Sequence, residues 1–440
     1  MRLLFLFFWL FSFPIVAQYN LEQPLISYEL VDSYTQETLV NKWKSASIPQ
    51  ALAPIHYDVA VYEVLYAMPW HDGTPIKASG LYYVPKESST VVSKKKKREA
   101  TEGHPMLCYH HGTQIRKDRK VRLGGEQAIC VGFATDGYLV ARPDYMGLGK
   151  GERKHLYHHV ETQAGASIYL LRAIEAINQE LKIQQNDQLF ITGYSQGGHV
   201  TLSFQKIVQE SYAEEFKVTA SAPMSGAYDL GGVQEGTMFK PYSHPGYLPY
   251  LIFSYNEIYN IYDNPTELLI SPYDSVLPTV YNGEHSMNYI NRLLPRVPKD
   301  MLQPAIVKRY LEEPDFSFKK ALKENSVHDW KPEQPVLFCY CEADEQVNYQ
   351  NSIVAYERMK ELGAKNLRLK RVNKHLGHRD CAAFAVMHTK LFFDSFRKGS
   401  KTGTAGPVGK RFLLGLGKGV VVGRVKKVQR AEKKAAKAVE

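Results

Sequence analysis

The sequence predicts an α/β fold, with a mostly parallel sheet and helices on both faces, and three observations indicate this class. Short apolar runs alternate with stretches of helical periodicity over 104–230 and again over 335–398. A serine flanked by glycines stands between one such run and the helix that follows it. Between these two parts the alternation stops, and 231–334 reads as a mostly helical insertion.

Length and composition indicate a globular protein. The chain has 440 residues, 44% of them hydrophobic, which is enough to bury a full core as one large domain with insertions or as two domains. The net charge is +10, but 399–440 alone carries eleven Lys/Arg and two Glu, a net of +9, which leaves +1 for the rest. Because the domain itself has no basic excess, we predict no nucleic-acid partner.

The N-terminus has the pattern of an export signal. Arg2 precedes the apolar run 3–13, and Pro14 and a plausible cleavage site after Ala17 follow. The run is short for a membrane span, and no later stretch reaches about 18 apolar residues. We therefore predict a signal peptide at 1–17, a secreted or periplasmic protein, and no transmembrane span after signal removal. An uncleaved anchor is the alternative.

The first part of the core, 18–230, is predicted to begin with an irregular lead-in over 18–57. The polar segment 86–103, with Lys94–Arg98, favours a solvated loop. Six strands are predicted in this part: Asp58–Tyr66, Ala78–Val84, Met106–Tyr109, Tyr138–Ala141, the run that ends before Gly193, and Val218–Ala222.

The insertion at 231–334 has helical periodicity near 247–262, 284–294 and 300–312 and is rich in Tyr, Pro and Leu. We predict a lid over a substrate pocket, with plain packing or an oligomer surface as alternatives. The second part of the core, 335–398, has strands at Val336–Tyr340 and Leu367–Val372. The basic tail at 399–440 is predicted to be flexible or weakly helical and to touch anionic surfaces.

The glycine-flanked serine is Ser195, in the pattern Gly193-Tyr194-Ser195-Gln196-Gly197. A G-x-S-x-G pattern between a strand and a helix is typical of a nucleophile elbow, whose sharp turn tolerates almost only glycine two positions before and after the serine. The alternative is an ordinary Gly-rich turn with a buried serine.

A serine needs a base to take its proton, and the base needs a group that holds its tautomer. Asp344 follows a buried strand and His378 follows the next one, so both are predicted at the carboxyl edge of the sheet. Glu342 or Glu345 could replace Asp344, and His375 could replace His378.

A tetrahedral oxyanion needs donors that are fixed in advance. The backbone N–H of Gln196 is one candidate, because it begins the helix after the serine. Thr113, with Gly112 beside it, is the candidate for the second, because it follows the strand that ends at Tyr109. The alternative for this segment is an ordinary turn.

Other chemistry is not supported by the sequence. The histidine pairs at 110–111 and 158–159 lack the spacing of metal ligands, and Gly147–Gly151 lacks the spacing of a phosphate-binding loop. We therefore predict no metal ion and no cofactor. Five cysteines leave at least one free thiol, and Cys341 with Cys381 is the candidate disulfide.

These motifs together resemble the α/β-hydrolases of the secretory lipase (lipase A-like) family. The resemblance covers roughly 50–397 and is carried by Tyr109–Thr113, Pro143–Gly149, Gly193–Gly198, Glu342–Val347 and Gly377–His378. The resemblance implies an α/β-hydrolase fold with a helical lid inserted before the acid strand. It does not account for the basic tail or the Lys-rich loop.

The resemblance also implies an exported serine hydrolase that acts on carboxylic esters, including lipid esters. By this likeness Ser195 is the nucleophile, Asp344 the orienting acid and His378 the base. Peptide or aryl ester cleavage by the same residues is a second interpretation, since the triad does not choose the leaving group. A non-catalytic binding scaffold is a third. The expected partner is an ester or lipid substrate, at an interface in the lipid case, and the oligomeric state stays open.

Overall fold

The structure is a computed structural model that describes residues 19–87, 103–118 and 121–437. The predicted signal peptide at 1–17 and the basic run Lys94–Arg98 lie outside the described residues. Among the residues that are described, no helix combines the length and the apolar character needed to cross a bilayer.

The residues that the structure describes form a nine-stranded sheet. Its strands are β1 (Leu25–Tyr34), β2 (Asp58–Pro69), β3 (Pro75–Lys86), β4 (His104–His110), β5 (Leu139–Pro143), β6 (Gln185–Tyr194), β7 (Val218–Met224), β8 (Val336–Cys341) and β9 (Leu367–Asn373). Their order in space is β1-β2-β3-β5-β4-β6-β7-β8-β9. Strands β1, β2 and β3 pair antiparallel, and β3 also pairs antiparallel with β5. The six strands β4 to β9 run parallel to one another. The predicted mostly parallel sheet is confirmed.

Helices cover both faces of this sheet. They are α1 (Gln36–Ser45), α2 (Gly125–Ala134), α3 (Val160–Leu181), α4 (Gln196–Ser211), α5 (Tyr247–Tyr259), α6 (Pro265–Leu268), α7 (Tyr273–Val280), α8 (Met287–Asn291), α9 (Pro304–Glu312), α10 (Ser317–Glu324), α11 (Gln350–Glu361), α12 (His378–Arg397) and α13 (Val408–Lys437).

Strand β4 shows how the two layers form. Successive side chains of a strand point to opposite faces. Leu107 and Tyr109 therefore join an apolar core with α2 and α12. Met106 and Cys108 join a second core with α3 and α4. The fold is that of an α/β hydrolase, as the resemblance implied.

The segment between β7 and β8 contains α5 to α10 and three short helical turns, at Leu230–Gln234, Glu235–Phe239 and Pro298–Met301. It builds its own apolar core, which includes Leu248, Leu277 and Met301. That core extends to Tyr157 and Val347, which belong to loops at the carboxyl edge of the sheet. The insertion therefore lies over this edge.

Two stretches differ from the expectations. The lead-in 18–57, predicted to be irregular, contains β1 and α1, because β1 pairs along β2 although its own side chains show no clean alternation of burial. The tail, predicted to be flexible or weakly helical, forms the long helix α13 over Val408–Lys437. Tertiary packing of Leu414 against Leu52 and Leu391 offsets the poor helix propensity of its glycines.

Buried neutral histidines join the helices to the sheet. The His110 ring lies 3.0 Å from the hydroxyls of both Ser167 and Thr201, and burial lowers the pKa of His110 to about 3. Burial likewise lowers the pKa of His155 and of His199 to about 4. The ordinary histidine pKa is 6.5, so the folded protein holds these rings neutral where the unfolded chain would protonate them.

We expect the free energy of unfolding to fall as the pH drops below 6.5. Between pH 6.5 and about pH 4, these histidines are protonated in the unfolded chain and neutral in the folded chain. Each of them therefore lowers the free energy of unfolding by about 1.4 kcal/mol per pH unit. Urea unfolding at pH 8 to 5 measures this. His199→Gln keeps a donor for the Asn325 carbonyl, 2.8 Å from the His199 ring, and should lower the proton uptake on unfolding by about one. His71→Gln, in the β2–β3 turn, is the control; equal stability at pH 7 and 5 would contradict the prediction.

Candidate active site

Ser195 occupies a strained turn between β6 and α4. Its backbone has φ of 61° and ψ of −121°, a conformation that residues with a side chain rarely adopt. The turn is held by the Ser195 N–H, which donates to the Met224 carbonyl at 3.0 Å, and by the Gly198 N–H, which donates to the Ser195 carbonyl at 2.9 Å. The Ser195 side chain is thereby held at the carboxyl edge of the sheet.

Two glycines make this turn possible. A Cβ at Gly193 would lie 2.3 Å from the Gly197 carbonyl oxygen, and a Cβ at Gly197 would lie 2.0 Å from the His110 carbonyl oxygen. Both distances are well inside van der Waals contact, so neither position has room for a methyl group. The close approach of the three backbones explains the G-x-S-x-G spacing seen in the sequence.

Asp344 and His378 form a direct pair at the same edge. The His378 Nδ1 lies 2.7 Å from Asp344 Oδ2, and both side chains are almost fully buried. The other carboxylate oxygen accepts the backbone N–H groups of Gln346 and Val347, at 3.0 and 2.9 Å. Because an ionised carboxylate only accepts hydrogen bonds, Nδ1 is the protonated nitrogen of His378, and Nε2 is left with a free lone pair.

Neighbouring groups hold His378 beside the serine turn. Its N–H donates to Glu345 Oε2 at 2.9 Å, and its carbonyl accepts the Tyr194 hydroxyl at 2.5 Å. The His378 ring centroid lies 4.9 Å from that of Tyr194, the residue directly before Ser195. Burial alone would raise the pKa of Glu345, but hydrogen bonds from the His378 N–H, from its own backbone N–H and from the Gln346 side chain, together with the His378 charge, hold the pKa below its ordinary value.

The alternatives from the sequence lie elsewhere. Glu342 pairs with Arg371 at 2.8 Å, with its side chain partly exposed. Glu345 contacts the backbone of His378, whereas Asp344 contacts the ring. The His375 side chain is half-buried, and its backbone N–H donates to the Asn373 side chain. Of these candidates, only Asp344 and His378 are in side-chain contact with each other.

A disulfide joins Cys341 to Cys381, the candidate pair. It connects the end of β8, three residues before Asp344, to the first turn of α12, three residues after His378. The free thiols of the described chain, at 108, 130 and 339, are buried, and burial raises the pKa of each to about 12. They are therefore unreactive.

The loop after β4 passes beside Ser195. A Cβ on Gly112 would lie 3.7 Å from that of Ser195. The Gly112 N–H is occupied by the carboxylate of Glu126, at 2.9 and 3.2 Å, so Gly112 is not a free donor. The Thr113 hydroxyl lies 3.0 Å from that of Tyr157. Gln196 is the first residue of α4, where backbone N–H groups lack partners within the helix.

Ser195 and Gln196 line a narrow cavity under the insertion. About 50 Å³ of it admits a water-sized molecule, which is room for a few waters. The remaining wall is mainly apolar and comes largely from the insertion, with Leu230, Met238, Leu248, Leu251, Phe318 and Val347. The insertion therefore supplies most of the wall around Ser195.

The sequence did not reveal the residues that support the site. Glu126 lies on α2 and also accepts the Tyr109 hydroxyl at 2.9 Å. Tyr157 stacks on Tyr250 of the insertion, with ring centroids 4.6 Å apart. A lone acid or tyrosine has no diagnostic spacing, so only the tertiary contacts identify them. No group of His, Cys, Asp or Glu within the described ranges could hold a metal ion.

Comparisons with known proteins find a lipase family and solved structures of an esterase and a lipase. The sequence model described as secretory lipase matches residues 116–385. No curated protein matches the chain. A solved structure from Legionella pneumophila is similar over 86% of this chain and 99% of that one, with 25% identity and a TM-score of 0.77. The rice cell wall degrading esterase LipA from Xanthomonas oryzae is similar over 83% and 95%, with 26% identity and a TM-score of 0.70. Lipase A from Candida antarctica, in its closed state, shares the fold over 88% and 84%, with 14% identity and a TM-score of 0.62.

We expect Gly197→Ala to destabilise the protein by at least about 2 kcal/mol, because the new methyl group would overlap the His110 carbonyl oxygen and force the turn apart. The urea unfolding midpoint measures the loss. Gly165→Ala, in α3, is the matched control: its Cβ would lie 3.7 Å from the nearest atom, and it should be neutral or gain up to about 1 kcal/mol. Equal midpoints for Gly197→Ala and wild type would show that the turn is not tightly packed.

Proposed function

The chain belongs to the secretory lipase family, and from this membership we propose that it is a secreted serine hydrolase that cleaves carboxylic esters through an acyl-serine intermediate. The likeness to an esterase at 26% identity over most of both chains supports the ester as the substrate class. A lipid ester is the form of that class that suits a mainly apolar cavity lined largely by the insertion. The predicted signal peptide and the family's secretory character support export.

The contact between Asp344 and His378, at the edge where the Ser195 turn projects, carries the proposal. The carboxylate fixes the Nδ1–H tautomer, so Nε2 is available to take the Ser195 proton. A buried aspartate that accepts two backbone N–H groups and one imidazole N–H has little capacity to serve as the base itself. Its role is to orient the ring and to stabilise the imidazolium that forms.

The reaction proceeds in two halves. His378 Nε2 removes the proton from Ser195 Oγ as that oxygen attacks the ester carbonyl, and the N–H groups of Gln196 and Thr113 stabilise the oxyanion. The intermediate collapses, the alcohol leaves with the proton from His378, and an acyl-serine remains. A water molecule, deprotonated by the same Nε2, then attacks this ester and releases the acid and the free serine.

Covalent labelling tests the nucleophile. A fluorophosphonate probe should modify the wild type at Ser195 and should not modify Ser195→Ala, as read by mass spectrometry of the intact protein and its peptides. Ser203→Ala is the matched control, because Ser203 lies on the same helix and its hydroxyl donates within the helix to the His199 carbonyl at 3.0 Å. This variant should label like wild type.

The leaving group is tested on the same preparations. A nitrophenyl ester should be hydrolysed, whereas a dipeptide nitroanilide should not. Labelled protein that cleaves the amide would favour the peptidase interpretation. Folded protein that neither labels nor hydrolyses would favour a binding scaffold and would refute the proposal.

Asp344→Asn should lower kcat on the nitrophenyl ester by on the order of 10⁴-fold and leave KM nearly unchanged. The amide would donate to Nδ1 and so place the histidine proton on Nε2, where it cannot act as base. Glu342→Gln and His375→Gln are the matched controls, since they replace the rival acid and the rival histidine without touching the pair. An equal loss of kcat in Glu342→Gln would reassign the acid.

A further inference from the structure

Helix α13 rests on the protein by one face only. Leu414 is buried, with 2% of its surface exposed, and packs against Leu52 and Leu391. Further along, Val421 and Val425 pack partly buried against the core. The helix lies outside the segment that matches the family, which ends at residue 385.

The opposite face of α13 carries an exposed apolar stripe. Val408, Phe412, Leu416 and Val420 follow one another at intervals of four residues, which places them on one side of a helix. Phe412 is 64% exposed and Leu416 is 55% exposed. Half of the large exposed hydrophobic residues of the described chain lie on this one helix: Val408, Phe412, Leu413, Leu416 and Val420, against Ile26, Leu30, Tyr289, Leu293 and Leu311 elsewhere. A clustered apolar stripe of this kind marks an interaction surface.

The surroundings of the stripe are strongly basic. Between Asp394 and Glu432 the sequence contains ten Lys/Arg and no Asp or Glu. Lys426 and Lys427 continue the helix beyond the stripe and are exposed. The charged residues of the helix from its start to Lys427 are therefore all positive.

The docked side is basic as well. A cavity between α13 and β9 is lined by Arg368, Lys370, Arg411 and Lys418, together with His388, and no carboxylate lines it. Burial lowers the pKa of Lys418, and the nearby charge of Lys370 lowers it further. The cations of the docked side add to the positive potential around the helix.

We propose that α13 is an interfacial helix that binds a bilayer containing anionic lipids, with its apolar stripe in the acyl region and its lysines and arginines at the headgroups. A helix with an apolar face and Lys/Arg beside it lies in the interface plane in this manner. A second copy of the chain is disfavoured as the occupant, because it would bring two equally basic helices together. A nucleic acid is disfavoured because binding it would not bury the apolar stripe.

The helix is placed to orient the protein on such a surface. Lys418 Nζ donates to the Val372 carbonyl at 2.9 Å, near the carboxyl end of β9. The charge of Lys426 acts on His375, in the loop between β9 and His378. The basic end of α13 thus lies on the side of the molecule that holds the candidate active site. The binding itself does not depend on the proposed hydrolase activity.

Vesicle flotation of the full chain tests the proposal. Vesicles of diether phosphatidylcholine, with and without diether phosphatidylglycerol, exclude ester hydrolysis from the result. We expect binding to the anionic vesicles and weaker binding, by on the order of 10²-fold, to the neutral ones. Binding to the anionic vesicles should weaken as salt is added. Equal binding to both kinds of vesicle, or to neither, would overturn the proposal.

Variants separate the stripe from the charge. The double variant Phe412→Asp/Leu416→Asp should lose on the order of 10²-fold in vesicle affinity through the lost apolar burial. Leu30→Asp, at a leucine of β1 that is 60% exposed, is the matched control and should bind like wild type. Lys426→Glu/Lys427→Glu should reduce the preference for anionic vesicles, since eight of the ten Lys/Arg remain. All variants should unfold at the wild-type temperature, since the replaced side chains are exposed.

Two results would assign the stripe to another occupant and refute the proposal. One is a dimer of the wild type in sedimentation that the Phe412→Asp/Leu416→Asp variant loses. The other is binding to duplex DNA that the Lys426→Glu/Lys427→Glu variant loses, together with no binding to vesicles.

Discussion

The structure depends on one close approach, at which the backbones of β4, β6 and α4 meet within contact distance. The His110 carbonyl faces Gly197, and Gly193 faces the same helix turn, so no side-chain atom separates the strand ends from the helix. The strained conformation of Ser195 is a consequence of this contact. Three features then follow: the serine projects, α4 begins directly behind it, and the loop after His110 is drawn alongside. The neutral His110 ring locks the arrangement through hydroxyls on α3 and α4.

The insertion is built into the same arrangement. Tyr250 donates to the Gln114 carbonyl at 3.0 Å, beside the predicted oxyanion donor. Tyr247 donates to Gln346 Oε1 at 3.0 Å, in the turn that carries Asp344. One helix, α5, therefore contacts the loops on both sides of the serine. Movement of this helix would also move the supports of the proposed catalytic groups, because α5 contacts the loops that carry them.

The parts of the site that the sequence could predict are those where backbone geometry restricts residue type. The elbow could be predicted because only glycine fits at 193 and 197. Asp344 and His378 could be proposed because Asp344 follows the buried strand β8 and His378 follows the next strand, β9. Glu126 and Tyr157 are not visible, since their contacts come from elements far along the chain. Strand β1 was missed because its pairing with β2, and not its own pattern, stabilises it. The length and docking of α13 were not predicted, because its glycines left a flexible tail and a weak helix both open, and the docking residue Leu414 gives no signal in isolation.

The chain has an oxidised form with the Cys341–Cys381 disulfide and a reduced form without it, and the two differ in their free energy of unfolding. The disulfide closes a loop of 40 residues that contains both members of the aspartate–histidine pair. Closing a loop of that length restricts the denatured ensemble by about 4 kcal/mol in the chain-entropy description. Cytosolic reductants keep such thiols apart, whereas an oxidising exterior joins them. For the export proposed above, a reduced chain inside the cell would be the more easily unfolded form, and oxidation outside would stabilise the fold around the pair.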